Sequence, residues 1–288
     1  AIVNKRDGGQ FDHVDETLFQ TLVNYAALII DLMYMSKEIQ EKQRMEQEMS
    51  TANEVQKLLL PKGHPVVDGY DFHAFNAPAR ELGGDYYDFV PLDDGKIGIA
   101  IADVSGKGVA AALVMATLRS ILRQKAPLFQ DDLCGLARVL NELTYKDTKE
   151  NMFITLTYGV LDPVKNVFKA VRAGHEQILV FSPRKDEPNR YIPRGTALGI
   201  VDPNFFIIQE VEIPLDSQDT ILLYTDGVTE AMDSRSNEYG LERLESTVQK
   251  TCRTSAETIF AEITHDLKSF TRDVPQNDDI TMVIIKKL

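Results

Sequence analysis

The chain has 288 residues, carries 44 Asp and Glu against 31 Lys and Arg for a formal charge of −13, and is 43% apolar. With no Lys/Arg block longer than two, it offers no cationic stripe for nucleic acid or for an anionic membrane surface. The apolar share is that of a globular protein able to bury a real core, in one large domain or two small ones.

From about Asp15 to Leu60 there is neither Pro nor Gly, and Leu28, Leu32, Met35, Ile39, Met45, Met49 and Ala52 form one apolar stripe at helical spacing. Some 45 residues of helix would run about 65 Å, too long to pack wholly on one domain. A linker helix that pairs with a copy of itself as a parallel coiled coil is expected. The longest apolar run, Ala26 to Met35, is interrupted by Asp31 and falls short of the roughly 18 to 20 residues that span a bilayer. The chain opens without Met and without a signal sequence, and is expected to be a piece of something longer. Pro61, Gly63 and Pro65 end the helix, and the face carrying Val55, Leu58 and Leu59 is expected to dock on the domain C-terminal to it.

Beyond Pro65 the texture turns to strands. Asp71 to Ala79 and Lys96 to Val104 read as strands, Ala110 to Gln124 and Asp132 to Tyr145 as helices. Further strands lie at Phe153 to Leu161, Val167 to Ala173 and Ile178 to Phe181, then a Pro-, Arg- and Gly-rich loop from Ser182 to Pro203. Strand texture returns at Phe205 to Ile213 and Thr220 to Tyr224, helices at Leu241 to Thr251 and Ala256 to Phe270, and a last strand at Thr281 to Ile285. Strand runs interrupted by two helix pairs predict an α+β protein whose sheets are covered by helices on both outer faces. Cys134 and Cys252 have no Cys or His partner at ligand spacing, which excludes a disulfide framework and a structural zinc and fits a reducing, cytoplasmic setting.

Four acidic clusters stand at strand ends beside turn residues: GGDYYDF (Gly83 to Phe89), ADVSGKG (Ala102 to Gly108), YTDGVTEA (Tyr224 to Ala231) and NDDIT (Asn277 to Thr281). Any one of them is ordinary as a surface turn. Together they imply carboxylates that converge, and converging carboxylates repel unless a cation joins them. All-oxygen ligation favours Mg²⁺ or Mn²⁺. Two such ions can lower the pKa of a water and aim it at phosphorus while neutralising phosphoryl oxygens. SGKG lacks the earlier Gly and following Ser/Thr of a nucleotide-binding P-loop, and GGD alone is too short to indicate a diguanylate cyclase.

The ordered series GGDYYDF, DVSGKGVAAALVMATLRS, RAGH, GTALGI, LLYTDGVTEA with YGLERL, and DDITMVII resembles the PPM-type serine/threonine protein phosphatases, within them the bacterial stage II sporulation protein E and RsbU subgroup. The resemblance runs from about Asn53 to Leu288. It implies an αββα four-layer sandwich with a two-metal Mn²⁺ or Mg²⁺ centre at one end of the sheets. Asp103 matches the Asp that bridges both metals, with the Val104 carbonyl as a further ligand. Asp226 and Asp278 match the remaining metal ligands, and the adjacent Asp279 stays open as the alternative to Asp278. Asp85 matches the acidic residue of the first motif, so that Asp85, Asp103 and Asp226 act through a metal-held water without a protein nucleophile. Arg80 sits where the wider family places a phosphate-binding Arg, a surface Arg being the alternative. Asp88 reads as structural or as support behind the metal ligands. His175 reads as a structural histidine, with a general acid as the alternative.

The opening segment, AIVNKRDGGQFDHVDETLFQTLVNYAALIIDLMYM, is similar to the closing strand, loop and last helix of a GAF sensory domain. The expected organisation is a sensory remnant over 1–35, a coiled-coil linker helix over 36–62 and a phosphatase domain over 63–288. The resemblance implies a homodimer switched by an upstream sensor, with a phosphorylated STAS-domain anti-sigma-factor antagonist as substrate. A catalytically silent, partner-binding copy of the same fold is the alternative.

Overall fold

A computed structural model describes residues 9–148 and 152–288. The opening strand expected of the sensory remnant falls largely on residues 1–8 and lies outside the described residues.

Helix α1 (His13–Leu59) starts where Asp12 accepts the N–H groups of Val14 and Asp15 at 2.9 and 3.0 Å, while Asp15 accepts the N–H of Asp12 at 2.9 Å. This reciprocal cap satisfies donors that the first turn cannot. The residues up to Ala52 form one unit and Asn53–Leu288 a second. In the first unit the charged middle of α1 is lined by Lys37–Glu41, Lys42–Glu46 and Arg44–Glu48 pairs one turn apart. Its stripe of Leu28, Leu32, Met35 and Ile39 is exposed. An 18-residue window of α1 reaches a mean hydropathy of 1.4, so by length and composition this helix does meet the requirement for crossing a membrane. That corrects the expectation from Ala26 to Met35, because a window average absorbs isolated polar residues that break a consecutive run.

Among the described residues the second unit holds ten strands and five further helices. In chain order these are β1 (Tyr70–Ala77), β2 (Tyr86–Pro91), β3 (Ile97–Val104), α2 (Val109–Lys125), α3 (Leu133–Asp147), β4 (Ile154–Asp162), β5 (Val167–Ala173), β6 (Ile178–Phe181) and β7 (Asn189–Tyr191). Then come β8 (Glu210–Pro214), β9 (Thr220–Tyr224), α4 (Asp226–Thr229), α5 (Leu241–Thr251), α6 (Ala256–Thr271) and β10 (Ile280–Lys287). One antiparallel sheet runs β1-β10-β9-β6-β7 and the other β2-β3-β4-β5-β8.

The sheets stack face to face with a helix pair on each outer side. Period-two alternation in β3 divides its apolar residues between two cores: Ile99 and Ile101 face the other sheet, whereas Ala100, Ala102 and Val104 face Met115 and Leu118 of α2. In β10, Val283 and Ile285 join the inter-sheet core while Met282 and Ile284 pack with Ile259 and Ile263 of α6. Strands covered on both faces read as continuous apolar runs. The four layers are the predicted αββα sandwich.

Three local expectations need correction. The Ser182 to Pro203 loop contains the short edge strand β7. The strand expected from Phe205 begins at Glu210, after a 3₁₀ turn over Pro203–Phe205 whose start is capped by Asp202. GGDYYDF is not only a turn: its second half is β2, antiparallel to β3 from Tyr86↔Ala102 to Pro91↔Ile97.

Candidate active site

Each sheet delivers two of the acidic motifs to the same end of the sandwich. Asp85 immediately precedes β2 and Asp103 is the penultimate residue of β3. Asp226 opens α4 after β9, and Asp278 and Asp279 lead into β10. Asp85 is buried, and its Oδ2 accepts the hydroxyls of Thr225 at 2.8 Å and Thr281 at 2.5 Å, both carried by the opposite sheet's strand ends.

Asp278 and Asp279 have different surroundings. The Asp279 carboxylate accepts the backbone N–H of Ala79 and of Gly84, each at 2.7 Å, and that of Asp85 at 3.4 Å, so it fixes the loop that carries Asp85. Asp278 accepts the N–H of Asp279 on Oδ1 at 2.9 Å and the Lys107 ammonium on Oδ2 at 2.8 Å. Lys107 Nζ also donates to the Asn277 carbonyl at 2.7 Å.

The electrostatics record how close these acids lie. Burial pushes the Asp103 carboxyl up to about 7, and the charges of Asp226, Asp278 and Asp279 push in the same direction. Burial and then Asp103 hold Asp85 well above the usual carboxylate range. Asp226 is raised by burial and by Asp278, and is relieved by the Gly227 N–H and by Lys107. Glu176, next to His175, is raised by burial and then by Asp226. Mutual elevation is what like charges impose on one another in a partly desolvated site.

Gly84 lies where a side chain would block this site. A Cβ there would stand 2.7 Å from the Val104 carbonyl oxygen and 3.4 Å from Asp103 Oδ1. Its absence leaves a cradle onto which a backbone carbonyl and a carboxylate oxygen both open. Oxygen donors only, in an electronegative recess, suit a hard divalent cation. Among the described residues, no three His, Cys, Asp or Glu side chains are gathered closely enough to hold an ion as they stand. Three of the acids are engaged elsewhere: Asp85 by two threonines, Asp279 by backbone N–H groups and Asp278 by Lys107.

The remaining predicted residues separate. Arg80 is exposed and makes no hydrogen bond or ion pair among the described residues. Asp88 is fully buried away from these acids, accepting Tyr86 Oη at 2.7 Å and a bidentate Arg123 at 2.6 and 2.7 Å, so it ties β2 to α2. His175 is buried with Nδ1 2.8 Å from the Thr155 hydroxyl, and burial, then Arg172, pushes it down to about 3. It is therefore neutral.

The end of α1 within the second unit grips the Asp85 loop. Asn53 Nδ2 donates to the Glu81 carbonyl, Gln56 Nε2 to the Gly83 carbonyl at 2.7 Å, and the Gly83 N–H to Gln56 Oε1 at 3.2 Å. Arg119 of α2 donates to the Leu59 carbonyl at 2.5 Å, and Leu60 packs against two cores. The expected docking face is thus rotated in part: Val55 and Leu58 are 55% and 64% exposed, Leu59 is half-buried, and polar Asn53 and Gln56 make hydrogen bonds to the loop. Gln56, Lys107, Thr225 and Thr281 do not stand out in the sequence. Lys107, Thr225 and Thr281 sit inside the acidic motifs, where the carboxylates are the conspicuous groups.

Beside the acids a cavity of about 510 Å³ opens, with Lys107, Gly227 and Asp278 at one side and Phe75, Phe260 and Leu267 among its apolar walls.

The profile of the stage II sporulation protein E (SpoIIE) family matches residues 93–287. The chain belongs to this family. SpoIIE membership agrees with the similarity to the phosphoserine phosphatase RsbU of Bacillus subtilis, 30% identical over 248 residues that cover 85% of this chain and 72% of RsbU. Two further curated relatives are longer, and the chain spans 41% and 47% of them. Among solved structures, the PP2C domain of SiaA from Pseudomonas aeruginosa superposes with a TM-score of 0.71 at 17% identity, covering 84% of this chain and 96% of that domain. RsbX, solved in complex with magnesium, superposes with a TM-score of 0.59 at 15% identity, covering 77% of this chain and 97% of RsbX. This SpoIIE-family chain is a serine/threonine protein phosphatase with the PP2C-like fold.

Proposed function

We propose that the chain hydrolyses phosphoserine or phosphothreonine on a partner-switching regulator, a STAS-domain anti-sigma-factor antagonist, with two Mn²⁺ or Mg²⁺ ions at the acidic end of the sandwich. The observation that carries this is the meeting of Asp103 and Asp85 from one sheet with Asp226 and Asp278 from the other, beside the cradle left by Gly84. The metal ligands are Asp103, the Val104 carbonyl, Asp226 and Asp278, with Asp85 directly or through water. Asp279 is set aside because its carboxylate is occupied by three backbone N–H groups. The ions, when bound, supply Lewis acidity at phosphorus and a water of lowered pKa. The protein's own contribution is to aim the carboxylates and to offset part of the burial that raises them, Asp85 by the two threonine hydroxyls and Asp226 by the Gly227 N–H at the start of α4. The cavity beside Asp278 receives residues flanking the phosphorylated one. Arg80, exposed at the rim of the first motif, is a candidate for phosphate contact.

Regulation is read from α1: the exposed stripe of Leu28, Leu32, Met35 and Ile39 supports pairing with a second copy, and the grip of Asn53 and Gln56 on the Asp85 loop supports transmission from a sensory segment upstream. A catalytically silent scaffold is the competing reading. Release of phosphate from a phosphoserine STAS protein with and without Mn²⁺ decides between them. Asp103→Asn and Asp226→Asn should each remove most of the activity and leave the fold intact by circular dichroism. Activity that survives both substitutions and excess EDTA would overturn the two-metal reading.

A further inference from the structure

Lys107 is the basic side chain inside this acidic site, and its position has a specific cause. It lies four residues after Asp103, on the turn between β3 and α2, and is flanked by Gly106 and Gly108 with φ of 90° and 79°. Two left-handed residues in three positions fold the chain back on itself, which L side chains at those positions would resist. The turn therefore delivers the lysine across the gap between the sheets to the loop before β10. There its ammonium holds Asp278 Oδ2 and the Asn277 carbonyl at 2.8 and 2.7 Å, and its charge reaches Asp226 as well. Both partners are partly exposed, 37% for the lysine and 42% for the aspartate side chain, so the ammonium can turn to water without being stranded.

We propose that Lys107 is a built-in counter-cation that competes with the divalent metal for Asp278 and thereby sets how tightly the centre holds it. The proposal rests on the metal-centre reading above and extends it to a residue that is not a ligand. The ammonium occupies one oxygen of Asp278, while the other oxygen accepts the N–H of Asp279, so an incoming ion meets a carboxylate already engaged on both sides. The positive charge beside Asp278 also repels a divalent ion, and at the dielectric of a half-exposed site this lowers affinity on the order of tenfold. Lys107 is a positioning residue in this sense: it holds Asp278 Oδ2 and offsets part of the acidic charge there until a cation replaces it.

The test is calorimetric titration of MnCl₂ into the whole chain, with free Mn²⁺ followed independently by its EPR signal. Lys107→Met should bind the weakest-held Mn²⁺ about tenfold more tightly than the parent, with the gap narrowing as ionic strength rises. Lys107→Arg, which keeps the charge, should stay within about twofold of the parent. Lys107→Gln serves as the second neutral variant, with folding checked by circular dichroism. Unchanged or weaker binding in both neutral variants, against a parent that does bind Mn²⁺, overturns the role of Lys107 alone. A parent that takes up no Mn²⁺ in the same titration overturns the metal-centre reading and this proposal with it.

Discussion

Gln56 and Gly83 exchange two hydrogen bonds: the glutamine amide donates to the glycine carbonyl at 2.7 Å and accepts the glycine N–H at 3.2 Å. A carboxamide presents an N–H and its C=O side by side, so Gln56 meets both backbone groups of one residue as a paired strand residue would. Gly83 is buried, and both of its polar groups depend on this one side chain. Two residues further on is Asp85. The last turns of α1 are thereby joined to the acidic site by one side chain and two residues of main chain.

Gln56→Ala is expected to leave a buried N–H and C=O unmatched and to lower unfolding free energy by about 2 kcal/mol. The Mn²⁺ concentration needed for half-maximal phosphate release should rise at the same time, because the Asp85 loop loses one of its anchors, Asn53 and Asp279 being the others. Urea unfolding and Mn²⁺-dependent turnover on the same preparations check both effects, and a variant altered in neither would show the contact to be incidental.

Gly84→Ala tests the cradle. Its Cβ would lie 2.7 Å from a backbone oxygen that has no rotamer to change, so Val104 must move. Overpacking of this kind costs about 2 kcal/mol. Displacement of a reacting geometry by a fraction of an ångström is expected to reduce turnover on the order of tenfold to a hundredfold. A loss of turnover larger than the loss of stability explains is the expected outcome of parallel activity and unfolding measurements.

His175 predicts a pH dependence of stability. Its folded value is pushed from 6.5 down to about 3, so the unfolded chain binds a proton more readily than the folded one throughout that interval. Stability from the neutral imidazole is complete above pH 6.5 and falls as pH drops toward 3, with a limiting slope of about 1.4 kcal/mol per pH unit. His175→Gln should flatten this part of the profile, measured by urea unfolding between neutral and mildly acidic pH. The same slope in both proteins would assign the acid sensitivity to other groups.

How far the sequence discloses each element depends on the physics of its signal. β9 and α5 end where their patterns end, because each is bounded by turn residues, β9 being a continuous apolar run buried on both faces and α5 packing one clear face. β2 is concealed in GGDYYDF: Tyr86 to Val90 are all buried, so no alternation marks them, and the acidic residues suggest a turn. β7 is three residues on an edge, too short for any periodicity. In the site, the acidic residues are conspicuous because charges at the ends of apolar strands need a reason. That Asp279 rather than Asp278 is engaged by distant main chain is not legible, since it depends on N–H groups of Ala79, Gly84 and Asp85 almost 200 residues away. The docking face of α1 departs from its apolar pattern for a related reason. Val55 and Leu58 are the residues a pattern would bury, whereas the surface they would meet consists of backbone carbonyls and N–H groups that only Asn53 and Gln56 can satisfy.

Asp85 and Asp103 hang from one sheet and Asp226 and Asp278 from the other; the two sheets are joined face to face by apolar packing and, at the acidic end, by hydrogen bonds from Thr225 and Thr281 to Asp85 and from Gly84 to Asp279. Apolar contact resists separation far more than it resists a small slide, because it has no direction. The hydrogen bonds across the acidic end supply the direction that apolar packing lacks, and so fix the spacing of oxygens drawn from both layers.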